Sequence, residues 1–279
     1  MLSRQPFASV LSHILGFKAF RRFSKASKET FTYEISLIAL SIRTGYLVDV
    51  LHIPEHLAEQ TYTLLLKELG TISECFRNVL HLHEPCTNQS FFIHKNKLLQ
   101  KLEASLSPRS AGPYPVFIHL PEKGEPCVLD SIPLPVLEVF QFNLGPGSTS
   151  SSSTLRLPQD LPSTTSIPLA AFVLDYPVAY VPASASQTSF LSGVPLVIYR
   201  CYIQPRTPPP GDDNGRGRQH TLLQFSCPGS FADDPTGLMS LSRTISHLEN
   251  TFQPLIAQSL PGCIFHVTCE RVILDRVAL

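Results

Sequence analysis

The chain has 279 residues, enough for one large domain or two small ones around a sizeable buried core. Apolar residues make up 43% and charged residues 16%, which excludes an intrinsically disordered chain and leaves a weakly charged surface suited to partners. Lys+Arg and Asp+Glu both total 22, so the basic excess that drives phosphate binding is missing and nucleic acid is not an expected partner.

Phe7, Val10, Leu11, Ile14 and Leu15 recur at helical spacing, and a basic stretch from Lys18 to Lys28 follows. Residues 29–43 read as a second helix with Phe31, Ile35, Ile38, Ala39 and Ile42 on one face, ended by Gly45. Tyr46–Ile53 reads as a buried strand, and Pro54 opens a third helix that Gly70 stops. Asn78–His83 and Ser90–Ile93 form strands around a polar turn, and Leu98, Leu99, Leu102 and Leu106 mark a fourth helix. Pro115–Leu120 is a strand, and residues 132–142 are helical.

Residues 145–166 change to Gly, Ser and Pro and predict a flexible connector. Leu196–Ile203 and His220–Cys227 each carry an alternating apolar face and pair antiparallel around a polar loop, residues 205–219, expected to be disordered and dispensable. Asp234-Pro235 signals a helix start, and Leu238, Leu241, Ile245, Leu248 and Phe252 form one stripe that Pro254 ends or kinks. Ile264–Leu274 is the last strand, apolar along Cys263, Phe265, Val267, Cys269 and Ile273, and this pattern predicts an internal position in its sheet. Strand pairs separated by helices predict an α+β fold: a mixed or antiparallel sheet with packed helices, in one unit or two closely packed halves. The expected divisions are 1–28, 29–144, the connector 145–166, and 167–279.

Leu174-Asp175-Tyr176-Pro177-Val178-Ala179-Tyr180 is the most distinctive segment, preceded by an apolar run at Ile167–Leu174. With Phe190–Ile203, Gln224–Pro228 and the terminal Val277-Ala278-Leu279, it resembles an uncharacterised eukaryotic family whose human member is a chromosome 1 open-reading-frame protein. The Tyr46–Val50 strand with Asp49 and the Leu98–Glu103 helix are similar in kind, so the resemblance spans about three-quarters of the chain. The family usually carries glycine before the Tyr-Pro pair, where this chain has Asp175. The resemblance brings no catalytic residue, cofactor or substrate.

His81 and His83 would point to one side of a strand, as two metal ligands must, with Cys86, His94 or His119 as a third. A His-x-His at a solvated strand end has the same pattern, and no bound metal or other cofactor is expected. No G-x-S-x-G elbow, P-loop or G-x-G-x-x-G occurs. Tyr176 and Tyr180 would either line an exposed edge that takes a peptide by strand addition or pack against the C-terminal helix, with Pro177 excluding a regular central strand. Arg21-Arg22-Phe23-Ser24 resembles a basophilic kinase site.

The seven cysteines include no C-x-x-C pair, and Cys263 and Cys269 would lie about 20 Å apart on one strand, so the cysteines read as reduced and mostly buried, in the cytosol or nucleus. Residues 1–28 hold six basic and no acidic residues, which also fits a mitochondrial presequence; a fold-forming first helix is the competing reading. No apolar run reaches the roughly 18 residues of a membrane helix, since Pro168, Asp175 and Pro177 interrupt the nearest, residues 167–182. These features point to an intracellular, soluble, non-enzymatic binding protein with a protein partner. The alternative is an enzyme of unrecognised type, a hydrolase among the options, with its site between the halves.

Overall fold

A computed structural model of the chain describes residues 4–106, 115–144, 153–187, 190–206 and 219–274. The fold is α+β. In chain order come α1 (Arg4–Gly16), a 3-10 turn (Lys18–Phe20), α2 (Lys25–Ala39), β1 (Gly45–Leu47), α3 (Glu55–Ile72), β2 (Val79–Glu84), β3 (Gln89–His94) and α4 (Lys95–Leu106). They are followed by β4 (Val116–Leu120), β5 (Cys127–Val128), α5 (Leu134–Leu144), β6 (Thr154–Arg156), α6 (Ser163–Val173) and β7 (Val178–Pro182). The chain finishes with β8 (Pro195–Pro205), β9 (His220–Pro228), the single turn α7 (Gly229–Ala232), α8 (Leu241–Ser259) and β10 (Cys263–Ile273).

Two units form, and neither is continuous in sequence. The first comprises Ser3–Leu106 with Leu134–Leu161; the second comprises Ser107–Pro133 with Pro162–Leu279. The contiguous halves expected at 29–144 and 167–279 therefore do not match the packing. The stretch 145–166, read as a connector, contains β6 and the start of α6 in its described part, residues 153–166. β6 has a partner to pair with, and that outweighs its loop-like flanks. Of the polar loop 205–219, residues 207–218 lie outside the described residues.

In the first unit the sheet order is β1-β3-β2-β6, antiparallel except for the parallel pair β2/β6. Its core is aromatic: Phe31 packs edge-on against Phe20 at 5.5 Å and Phe92 at 5.6 Å, and Tyr62 against Phe92 at 5.2 Å. Each such ring contributes roughly 1.5–3 kcal/mol by leaving water. Val10 and Ile14 bury the inner face of α1, which packs on α2. The expected strand 46–53 stops pairing after Leu47, apart from a bond from Val48 N–H to Ser90 O at 2.9 Å, because β3 runs out into its hairpin turn. Gly45 begins this strand instead of ending α2. The helix terminates at Ser41, which takes the left-handed φ of 56° and lets Ile42 N–H reach Leu37 O at 3.0 Å. α3 runs through Gly70, a mid-helix glycine costing about 1 kcal/mol that the buried Leu65, Leu66 and Leu69 outweigh.

The second unit holds two three-stranded sheets, β5-β4-β7 with β4 and β7 parallel, and the antiparallel β10-β8-β9. Leu248, Phe252 and Ile256 bury one stripe of α8, and Phe252 meets Phe265 at 5.5 Å. The helix expected at Asp234-Pro235 begins later, at Leu241. The Asp234 carboxylate instead accepts from Thr236 N–H at 2.9 Å and its hydroxyl at 2.7 Å, closing a local turn. Leu238 accordingly lies outside the helix and is exposed. Pro254 sits inside α8 without ending it. β10 is an edge strand, not an internal one, because β8 lies between it and β9.

Candidate functional site

The β2–β3 hairpin gathers the histidines. Alternation along β2 places His81 and His83 on one side, with ring centroids 6.1 Å apart. Glu84 closes the turn: its carboxylate accepts from Cys86 N–H at 2.7 Å, from Thr87 N–H at 2.8 Å and from the Thr87 hydroxyl. Cys86, the third ligand considered, is exposed in this turn.

His81 is fully buried, and both ring nitrogens are in use: Nδ1 lies 3.1 Å from Thr154 Oγ1 and Nε2 lies 3.0 Å from Ser90 Oγ. Tyr62 covers the ring at 4.9 Å. Burial, assisted by the nearby His83, pushes its pKa down to about 3, so the imidazole is neutral with one nitrogen donating and the other accepting. A metal ligand needs a free lone pair facing open space, and His81 has none. Burial and then the Arg156 charge also depress the His83 pKa. His94 serves another purpose: Nδ1 accepts from Lys97 N–H at 3.2 Å and caps α4, while Nε2 meets Ser41 Oγ at 2.9 Å. His119 is on β4, in the other unit. Among the described residues no group of three His, Cys, Asp or Glu is placed to hold a metal ion.

The Tyr-Pro segment builds the corner between α6 and β7. Asp175 takes the left-handed conformation with φ of 62°, so that Tyr176 N–H folds back onto Ala171 O at 3.0 Å. Pro177 is buried, and its carbonyl accepts from Val116 N–H at 2.8 Å, which starts the β4/β7 ladder. β7 is then an edge strand of its sheet, as Pro177 foretells. The tyrosines reach β9. Tyr180 is buried and donates to Ser226 O at 3.0 Å, while Tyr176 stacks on Phe225 at 6.4 Å. Burial raises the Tyr180 pKa. Phe225 in turn lies flat on Tyr199, with ring centroids 4.9 Å apart and planes 5° apart.

No family model, curated protein or solved structure matches the chain. The chemistry on offer is therefore that of its own surfaces. α1 and α3 border an open groove of about 590 Å³, lined by His13, Phe17, Gln60, Leu64 and Glu68, in which His13 Nε2 and Glu68 Oε2 are 2.7 Å apart.

The outer edge of β10 is the other open feature. Phe265 N–H turns away from β8 and donates to Gln253 Oε1 at 3.2 Å. By antiparallel alternation Val267, Cys269, Arg271 and Ile273 also direct their backbone groups outward. No backbone partner meets these four among the described residues. Past Phe265 the apolar face loses its cover: Val267 is half-buried, Cys269 is exposed and Ile273 is 68% exposed. Only the alternating pattern of this strand was visible in the sequence; its place at the edge depends on strand order. Four of the seven cysteines, Cys75, Cys86, Cys127 and Cys269, are likewise not buried, against the expectation of mostly buried thiols. Burial pushes the thiols of Cys201 and Cys227 up to about 12 and keeps them protonated.

Proposed function

We propose that this protein is a binding protein of the Tyr-Pro-Val family it resembles, and that it takes an extended polypeptide segment along the outer edge of β10. The observation that carries the proposal is the row of outward backbone groups from Val267 to Ile273 beside partly uncovered apolar side chains. An unpaired strand edge is complemented by another strand: main-chain hydrogen bonds supply affinity, and alternate side chains supply choice. The expected ligand carries apolar residues at every second position, to lie beside Val267, Cys269 and Ile273. The left-handed residue required at Asp175 supports the family reading, since glycine there is conformationally free. No helix among the described residues is long and apolar enough to cross a membrane.

The test is selection of random peptides on the immobilised full chain, followed by titration against wild type and Cys269→Pro. Proline there removes an outward N–H and leaves the β8 ladder intact. Alternating apolar peptides that bind at least tenfold more weakly to the variant support the proposal. Equal binding to both proteins, or no enrichment, refutes it.

A further inference from the structure

We propose that Ser24 is the acceptor of a basophilic serine kinase and that its phosphate caps α2. The residues Arg21-Arg22-Phe23-Ser24 place arginines three and two positions before the serine. All four residues fall in the link between the 3-10 turn Lys18–Phe20 and α2, so no regular helix need unwind to present them. The side chains of Arg21, Arg22 and Ser24 are exposed, and Ser24 has the extended backbone angles φ −62° and ψ 155°. Arg22 donates to His52 O at 2.7 Å, a single surface hydrogen bond that the kinase would displace.

Two features make the unmodified helix start receptive to negative charge. The first turn of α2 has no acidic residue but contains Lys25, and its cap is a neutral serine hydroxyl that accepts from Ser27 N–H at 3.0 Å. Independently, Lys28 is 7% exposed and makes no ion pair or side-chain hydrogen bond among the described residues. The covered part is the apolar stem; the ammonium reaches water and is open to a new counter-charge. Lys28 is four residues after Ser24, the spacing that puts two side chains on one side of a helix. A phosphate on Ser24 would supply both the helix end and Lys28 with a dianion.

In the reaction the Ser24 Oγ–phosphorus bond forms as the bond from the γ-phosphorus of ATP to its β,γ-bridging oxygen breaks. ADP leaves, and the hydroxyl proton passes to the kinase's general base.

The test incubates the full chain with an arginine-directed serine kinase and ATP, maps the phosphate by mass spectrometry, and compares melting midpoints. Phosphate should appear on Ser24, vanish in Ser24→Ala, and fall at least tenfold in Arg21→Lys/Arg22→Lys, which keeps the charge. The phosphorylated protein should melt about 2–4 °C higher, and Lys28→Met should remove most of that shift. An unmodified Ser24 under conditions that phosphorylate a peptide of residues 18–28 overturns the acceptor assignment. A modified Ser24 whose melting midpoint does not rise, or rises equally in Lys28→Met, overturns the capping role.

Discussion

Acid should destabilise this fold through His81, and the amount follows from the structure. The unfolded imidazole takes its proton near 6.5, whereas burial holds the folded group to about 3. The unfolded state therefore binds the proton first. The stabilising contribution is complete above pH 6.5 and is lost as the pH falls toward 3, at about 1.4 kcal/mol per pH unit. Between pH 7 and pH 5 the loss from this one side chain is about 2 kcal/mol, a substantial part of a total stability of about 5–15. His83 and His94 are depressed in the same direction and add to the slope. His81→Gln retains a donor and an acceptor but does not titrate. Denaturant unfolding at both pH values, followed by circular dichroism because the chain has no tryptophan, should show the pH 7 to pH 5 difference shrink by about 2 kcal/mol in the variant. Nuclear magnetic resonance of the His81 ring gives the direct reading. Protonation near 6.5 in the folded state, or an undiminished pH dependence in His81→Gln, would refute the buried neutral ring.

Asp175 occupies a left-handed position, so Asp175→Gly should stabilise by roughly 0.5–1 kcal/mol and Asp175→Val should cost about 1–2, measured by denaturant titration. Arg43 and Glu34 form a buried ion pair at 2.9 Å. Glu34→Ala should cost about 3–5 kcal/mol, whereas Glu34→Leu/Arg43→Met should recover most of it; a cost below 1 kcal/mol for the single variant would contradict the burial. On β10, Phe265→Ala should cost about 3–5 kcal/mol, while Ile273→Ala on the same face should change stability by less than about 0.5. Equal costs would show that the far half of the strand is covered in solution.

Local patterns carried most of the element reading. The β2–β3 hairpin, α1, α4 and the β8/β9 pair were legible because helical and alternating periodicities are strong over those residues. The failures have physical causes. The ends of α2 and α6 use left-handed residues other than glycine, Ser41 and Asp175, so Gly45 was a misleading stop signal; Gly70 misled because α3 runs past it to Ile72 and ends before the extended Ser73. Asp234-Pro235 satisfies its own polar groups in a turn, which imitates a helix start. β6 lacks any strong strand signal and exists because β2 offers it a partner. The His-x-His spacing was readable, but the two hydroxyls that occupy His81 come from Thr154 and Ser90, and only tertiary structure brings Thr154 there. The position of β10 at the edge depends on strand order, which periodicity does not encode.

The interleaving of the two units also sets a timetable for synthesis. His81 and Thr154 are 73 residues apart, and the intervening chain includes β4 and β5, which belong to the other unit. At about 5–20 residues per second a ribosome needs roughly 4–15 s to deliver β6 after β2 has emerged. Throughout that interval one rim of β2 stays open and His81 lacks one of its two hydroxyl partners. The first unit thus cannot close before part of the second has left the ribosome. A gene cut at residue 106 or at residue 133 should yield a chain caught in that waiting state, with β2 exposed to chaperones or to other nascent copies.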